Sequence, residues 1–221
     1  ALTNAVDAPL DRALRYYKDK GCKGIGEIML NLPMMDPLVQ NLFKHAESVG
    51  LPVTFDGSDR VGGDFGLYDD PGLPQLEHTL QRFPDLTVIA HGPVFWAEIA
   101  PLETPAQRKP AFYPGGTQAP FQRPDGPVRE EGVVPKLFRR YPNLYAELSD
   151  AAGALGRDPA YGPAFLKEFQ DRLLFGTDIC HCEMPFRTME LLLQWQDTER
   201  ITAETFSRIT AENAIRLFDL E

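Results

Sequence analysis

Ionisable side chains close successive apolar segments of this sequence. Carboxylates follow Gly-Ile-Gly, Val-Thr-Phe, Leu-Tyr-Ala and Leu-Leu-Phe-Gly-Thr, and an imidazole follows Val-Ile-Ala. Carboxylate oxygens and imidazole nitrogens are ligands for zinc and for harder divalent cations. If these segments are parallel strands, their ends meet at one edge of the sheet, where the side chains can share a ligand. The candidates are Glu27, Asp56, His91, the segment Glu147–Asp150, and Asp178.

Each candidate also has a structural interpretation, because polar residues often follow strands where the chain turns. Asp56 lies in Phe-Asp-Gly-Ser-Asp, which is equally typical of a turn. Glu147 is expected to lie in the wall of the fold or to pair with a neighbour. The apolar residues before His91 and Asp178 favour these two as the groups that carry chemistry.

Two further side chains are candidates for contact with a substrate. His181 lies in Cys180-His181-Cys182, and adjacent side chains of an extended backbone point to opposite sides. The triplet is therefore a poor site for one ion, and we predict a substrate contact for His181 instead. The segment Phe95–Glu98 is expected to pack in the core, with Trp96 lining the pocket.

The elements that position these residues alternate between amphipathic helices and short apolar strands. Helix starts and stops are signalled by residues such as Asp36 and Pro37 at one end and Gly50 at the other. The predicted helices are 11–20, 37–49, 73–83, 133–141, 162–169, 187–196 and 203–217. The predicted strands are 24–29, 52–55, 86–90, 144–148 and 173–176.

Strands separated by helices predict a parallel α/β sheet covered on both faces. We expect residues 1–221 to form one domain, a (β/α) TIM-like barrel. A closed barrel needs eight strands, and this pattern supplies about five. The Pro- and Gly-rich stretch 100–129 is too long for an ordinary connection and is predicted to be an irregular loop or lid.

Composition excludes several classes of partner. The net charge of -10 would repel nucleic acid and anionic membrane surfaces. No apolar run approaches the roughly 20 residues that span a bilayer, and no signal peptide is recognised at Ala1. The cysteines are Cys22, Cys180 and Cys182; this odd number favours a reducing compartment, and we expect a cytoplasmic protein.

Six segments follow one another along the chain between about Gly21 and Leu217. They are Gly-Cys-Lys-Gly-Ile-Gly-Glu-Ile, Gly-Leu-Pro-Val-Thr-Phe, Phe-Pro-Asp-Leu-Thr-Val-Ile-Ala-His-Gly, Tyr-Pro-Asn-Leu-Tyr-Ala-Glu-Leu-Ser, Leu-Leu-Phe-Gly-Thr-Asp and Glu-Asn-Ala-Ile-Arg-Leu-Phe. In this order and spacing they resemble the amidohydrolase-related branch of the amidohydrolase superfamily, which includes aminocarboxymuconate-semialdehyde decarboxylase and metal-dependent hydrolases.

The resemblance implies a distorted barrel with a divalent metal, usually zinc. It matches Asp178 to the aspartate that the family carries on its eighth strand as a metal ligand. It matches His91 to the sixth-strand histidine that contacts the substrate. Asp56 stands where the family has a histidine on its fifth strand, which favours harder ions such as manganese or magnesium as alternatives.

The family's His-x-His pair on the first strand does not occur in this sequence. We expect such a segment upstream of Ala1, or a protein that lacks it and its first strands.

These features together predict a hydrolase, or a related decarboxylase, that acts on a small amide- or carboxylate-bearing substrate through metal-activated water. Asp178 and His91 would be catalytic, and Asp178, Asp56 and Glu27 would bind the metal. The alternative is a relative that has lost the metal and serves as an inactive binding or scaffold protein. A third possibility is a partial barrel completed by a second copy, so a homo-oligomer is among the expected assemblies.

Overall fold

A parallel sheet carries the candidate residues. The computed structural model describes residues 10–62, 66–108, 126–179 and 181–220. The strands are β1 (Ile25–Ile28), β2 (Val53–Ser58), β3 (Leu67–Tyr68), β4 (Val88–His91), β5 (Leu144–Glu147) and β6 (Leu173–Leu174). Their order is β1-β2-β4-β5-β6, with the short β3 paired to β2, and all the pairs are parallel. All the strand ends that carry candidate residues therefore face the same way.

Helices connect most of the strands, as expected for parallel pairing. They are α1 (Leu10–Asp19), α2 (Pro37–Val49), α3 (Pro74–Arg82), α4 (Pro93–Ala97), α5 (Val133–Arg140), α6 (Ala152–Gly156), α7 (Tyr161–Phe169), α8 (Arg187–Asp197), α9 (Ala203–Ser207) and α10 (Asn213–Phe218). In α2, the Asp36 side chain accepts from the Leu38 N–H, and Gly50 ends the helix in the left-handed conformation. No helix of the described ranges is both long and apolar enough to cross a bilayer.

A cluster of aromatic rings joins three of these helices in the core. The ring centroid of Phe138 in α5 lies 5.9 Å from that of Phe165 and 4.9 Å from that of Phe169, both in α7. Phe165 lies 6.0 Å from Trp96 in α4. These edge and tilted contacts add to the apolar area that the rings bury. They hold α4 and the adjoining end of β4 against the rest of the core.

A buried ion pair fixes the chain beyond α4. Arg108, which is 2% exposed, ends a short 3-10 helix (Pro105–Arg108), and its Nε lies 3.0 Å from Glu98 Oε1. Arg108 also donates to the Asp69 carbonyl at 2.9 Å, while Glu98 Oε2 accepts from the Gly72 N–H at 2.8 Å. The pair therefore ties the segment after α4 to the loop between β3 and α3.

A π-helical stretch, Arg208–Glu212, lies between α9 and α10 and holds the end of the sheet. Asn213, which is fully buried, follows it and donates from Nδ2 to the carbonyls of Gln170 and Leu173. The N–H of Phe175 donates to the Ile209 carbonyl at 3.0 Å. The Asn213 amide thus supplies a donor to a carbonyl of the short β6, as a neighbouring strand would.

The structure confirms the predicted alternation of helices and parallel strands and adds the short elements β3, α4, α6 and the 3-10 helix Pro105–Arg108. The helix predicted at 203–217 is instead interrupted by the π-helical stretch. Asp56, predicted to follow its strand, lies inside β2, which continues to Ser58. Most of the loop or lid predicted at 100–129 lies outside the described residues, as does Cys180.

Candidate active site

Strand register brings the candidate residues together at the carboxyl ends of the sheet. Asp56 in β2 lies directly opposite His91 at the end of β4. Glu27 comes from β1, Glu147 ends β5, and Asp178 follows β6. The predicted convergence at one mouth is therefore present in the structure.

Glu147 fixes the orientation of the His91 ring. Its Oε2 lies 2.7 Å from His91 Nδ1. The Ser149 hydroxyl lies 3.2 Å from the same nitrogen and donates to Glu147 Oε2 at 2.5 Å, and the Ser149 N–H donates to Oε1 at 2.8 Å. With Nδ1 engaged, His91 turns Nε2 toward Glu27, whose Oε1 lies 3.4 Å away. A carboxylate behind a histidine is the usual support for a metal-binding imidazole.

Two groups of possible metal ligands share His91. Glu27, Asp56 and His91 offer ligand atoms that all lie within 4.8 Å of one another. His91, Asp150 and Asp178 meet the same criterion. Asp178 has a φ of 45°, a left-handed conformation that is uncommon outside glycine and is more frequent at functional sites. His91 is thus the common member of a site whose residues lie in or after five strands.

The ionisable groups of this site lie close enough together to shift one another's pKa. Burial, together with neighbouring carboxylates, raises the pKa of Asp56 to about 7 and raises that of Glu27. Burial alone would lower the pKa of His91, but the hydrogen bond with Glu147 and the surrounding carboxylates raise it to about 9. Carboxylates brought this close together are stabilised by a cation.

Asp56 shows most directly that a cation fits. Its Oδ1 is buried without a hydrogen-bond partner among the described residues. A buried carboxylate oxygen without a donor is costly, and a metal ion would satisfy it. The set of imidazole and carboxylate donors is one that zinc and harder divalent ions accept.

Two glycines leave room for these carboxylates. A Cβ atom built on Gly92 would collide with Asp56 Oδ1, and one built on Gly176 would collide with Glu147 Oε1. Gly92 also has a φ of 93°, which side-chain-bearing residues rarely adopt. Each carboxylate can therefore occupy its place only because the residue that follows the neighbouring strand has no side chain.

Cavities lined by described residues open on the ligand groups. One, of about 400 Å³, is lined by Glu27, His91, Glu147 and Asp178 together with other residues of β1 and β2. A second cavity, of about 340 Å³, lies between the ends of β5 and β6 and the start of α8. His181 lines this second cavity, and its substrate contact stays a prediction.

Trp96 supports the strand end that carries Glu147. Its side chain is 1% exposed, because α4 turns the indole into the aromatic cluster. The indole Nε1 donates to the Glu147 carbonyl at 3.0 Å. The predicted contribution of Trp96 to the pocket lining stays a prediction.

The sequence placed the segment Glu147–Asp150 among the candidates at the strand ends but did not assign a separate role to Ser149 or Asp150. The expectation that Glu147 pairs with a neighbour is confirmed by its contact with His91. The pattern Glu-Leu-Ser-Asp at the end of a strand could have indicated a functional segment. Its three polar side chains lie close to the ends of the strands on either side. Which of them meets His91 depends on the register between β4 and β5, where Ala90 lies opposite Ala146.

Comparisons with known proteins agree with this architecture. No curated protein matches the chain. An uncharacterised TIM-barrel protein of Bordetella bronchiseptica is similar at 20% identity, with a TM-score of 0.55, over 95% of this chain and 61% of that one. A protein of Pseudomonas putida described as a candidate 2-pyrone-4,6-dicarboxylic acid hydrolase is similar at 15% identity, with a TM-score of 0.52, over 96% of this chain and 68% of that one.

The two structural likenesses support a fold of the TIM-barrel type, of which this chain spans 61% and 68% of the respective lengths. The family model described as Amidohydrolase matches residues 2–220, nearly the whole sequence. The chain therefore belongs to the amidohydrolase family.

Proposed function

We propose that the protein is a metal-dependent hydrolase, or a related decarboxylase, acting on a small molecule that bears an amide or a carboxylate. The observation that supports this is the meeting of two ligand groups at His91, with a buried oxygen of Asp56 that lacks a donor in the described chain. The P. putida neighbour is described as a candidate dicarboxylic acid hydrolase, which is compatible with a carboxylate-bearing substrate.

The residues that would hold the metal are Glu27, Asp56, His91, Asp150 and Asp178. Zinc is the proposed ion because it accepts both imidazole and carboxylate ligands, and manganese or magnesium are the alternatives that a carboxylate-rich set allows. Such an ion polarises a carbonyl group and lowers the pKa of bound water.

The protein's own groups have separate tasks in this proposal. Glu147 and Ser149 hold the proton on His91 Nδ1, so that Nε2 stays directed at the centre of the site. Asp178 is the proposed acceptor for the proton of an attacking water, since its carboxylate lies within reach of the His91 group. His91 would act as a ligand, and the ion that it helps to hold would supply the positive charge beside the substrate.

Cys22 and Cys182 are free, exposed thiols, as found in proteins of a reducing compartment, and we propose the cytoplasm as location.

A second candidate function follows from one feature of the sequence. The described site contains a single histidine, and the sequence has no His-x-His pair. A relative that binds no metal and acts as a binding or scaffold protein would have this feature as well. Metal content distinguishes the two functions.

We expect the protein, purified without chelators, to carry about one divalent ion per chain. Elemental analysis by mass spectrometry measures this directly. Removal of the ion by a chelator should lower the melting temperature, and return of zinc should restore it, because an ion that binds the folded state stabilises it. A chain without bound metal and without a zinc-dependent change in melting would support the scaffold instead.

The Glu147→Gln variant tests the support of His91. Glutamine keeps the size of the side chain but removes the charge that holds the proton on Nδ1. We expect metal affinity to fall by about 10–100-fold, as for other groups that orient a ligand. Competition with a chelating dye measures the affinity. Glu130→Gln, at an exposed position away from the site, is the matched control and should leave it unchanged.

A further inference from the structure

The second cavity has the composition of a binding pocket for an organic molecule. It is about 340 Å³ in volume and lies beside the ligand groups. Volumes of this size, with apolar walls and a few polar groups, are usual for small-molecule sites. Its apolar wall consists of Phe175, Met184, Phe186 and Met189.

The cavity adjoins the proposed metal centre. Asp150 lines it and also belongs to the ligand group of His91 and Asp178. Ser149 lines it and lies 3.2 Å from His91 Nδ1. Gly176 and Thr177 form part of the wall of both cavities. A molecule in the second cavity therefore has one end at the reactive groups.

Arg187 supplies a positive charge to this cavity. It lines the cavity at the start of α8, and it makes no hydrogen bond or ion pair with any part of the chain that the structure describes. Other arginines, such as Arg139 and Arg208, are each paired with two carboxylates. In a chain of net charge -10, a cation left without a carboxylate beside a cavity is available to a ligand.

The backbone that carries Arg187 is held in place. The hydroxyl of Thr188, which is buried, donates to the carbonyls of Leu148 and Ser149 at 2.9 Å each. These bonds anchor the start of α8 to the segment after β5, beside the reactive groups. The cation is thus attached to a fixed point relative to His91.

We propose that Arg187 binds the carboxylate of the substrate and determines its specificity. The substrate is then an anion with an apolar, ring-sized body that packs on the Phe175 and Phe186 wall, while its reacting bond lies near Asp150 and His91. A guanidinium group binds a carboxylate with two parallel hydrogen bonds, which a neutral amide cannot reproduce. This assignment rests on the proposed function and names the substrate class of the same site.

The test uses benzoate and benzamide as probes of equal shape and different charge. Dissociation constants are measured by calorimetry or by ligand-observed NMR for the full chain, as purified. Wild-type protein should bind benzoate about tenfold more tightly than benzamide, and Arg187→Gln should lose that preference by weakening benzoate binding alone. Arg12→Gln, which removes the same charge from an exposed position on α1, is the control and should keep the preference.

Benzoate binding that is equally strong in Arg187→Gln would overturn the assignment, as would equal binding of the two probes to wild-type protein. Metal content, measured on the same samples, separates this result from the proposed function. A chain that binds benzoate through Arg187 but holds no metal would keep the pocket assignment and remove the hydrolase. A chain that holds metal but binds benzoate equally well without Arg187 would keep the proposed hydrolase and remove the pocket assignment.

Discussion

Replacement of His91 by asparagine is expected to weaken metal binding by about 100-fold or more. His91 is the member shared by both ligand groups, so its loss removes a ligand from each. The estimate is a lower bound, because loss of a residue that only orients a ligand already costs about 10–100-fold. Asparagine retains a polar group beside Glu147, which limits disturbance of the strand ends.

The measurement is metal affinity by competition with a chelating dye, together with the unfolding transition of the metal-free variant. His78→Asn serves as the matched control, because His78 is exposed on α3, away from the site. A His91→Asn protein that keeps its ion with unchanged affinity would show that the metal lies elsewhere.

Replacement of Arg108 by methionine is expected to lower the free energy of unfolding by about 3–5 kcal/mol. Arg108 and Glu98 are 2% and 4% exposed, so the change leaves a buried carboxylate without its counter-charge. The Asp69 carbonyl also loses a donor. Methionine retains much of the volume of the arginine side chain, which separates the charge effect from a cavity effect.

Urea unfolding measures the effect. Arg15→Met, which breaks an exposed ion pair with Asp11, is the control and should change stability little. Adding Glu98→Gln to Arg108→Met should recover part of the loss, because it removes the unpaired charge and keeps an acceptor for the Gly72 N–H. If the double variant were less stable than Arg108→Met alone, the buried charge could not be the cause.

Much of the fold follows from local patterns in the sequence. The caps of α2, at Asp36 and Gly50, were predicted because their chemistry is local. The apolar run before His91 predicted β4 for the same reason. The short helix α4 was missed, because five residues that begin Pro93-Val94 are too few for a helical period to be recognised. The π-helical stretch before Asn213 was missed as well, since periodicity does not distinguish it from α-helix.

The candidate site was predictable as a location but not as a network. Residues at strand ends were expected to converge, and the structure brings Glu27, Asp56, His91 and Asp178 together. The contact of Glu147 with His91 was not predictable, because it depends on how β5 is aligned with β4. The burial of Trp96 depends on packing against Phe165, which lies far away in the sequence. The catalytic and metal-binding roles of these residues remain predictions.

The two glycines beside the carboxylates have a consequence for how sequences of this kind are compared. Alanine at position 92 or 176 could not coexist with Asp56 or Glu147 in its present place. A larger residue at either glycine would therefore displace an acidic group from its present place while leaving that group unchanged in the sequence. A relative that retains every acidic residue but has a larger residue at one of these two positions should be considered altered at its centre.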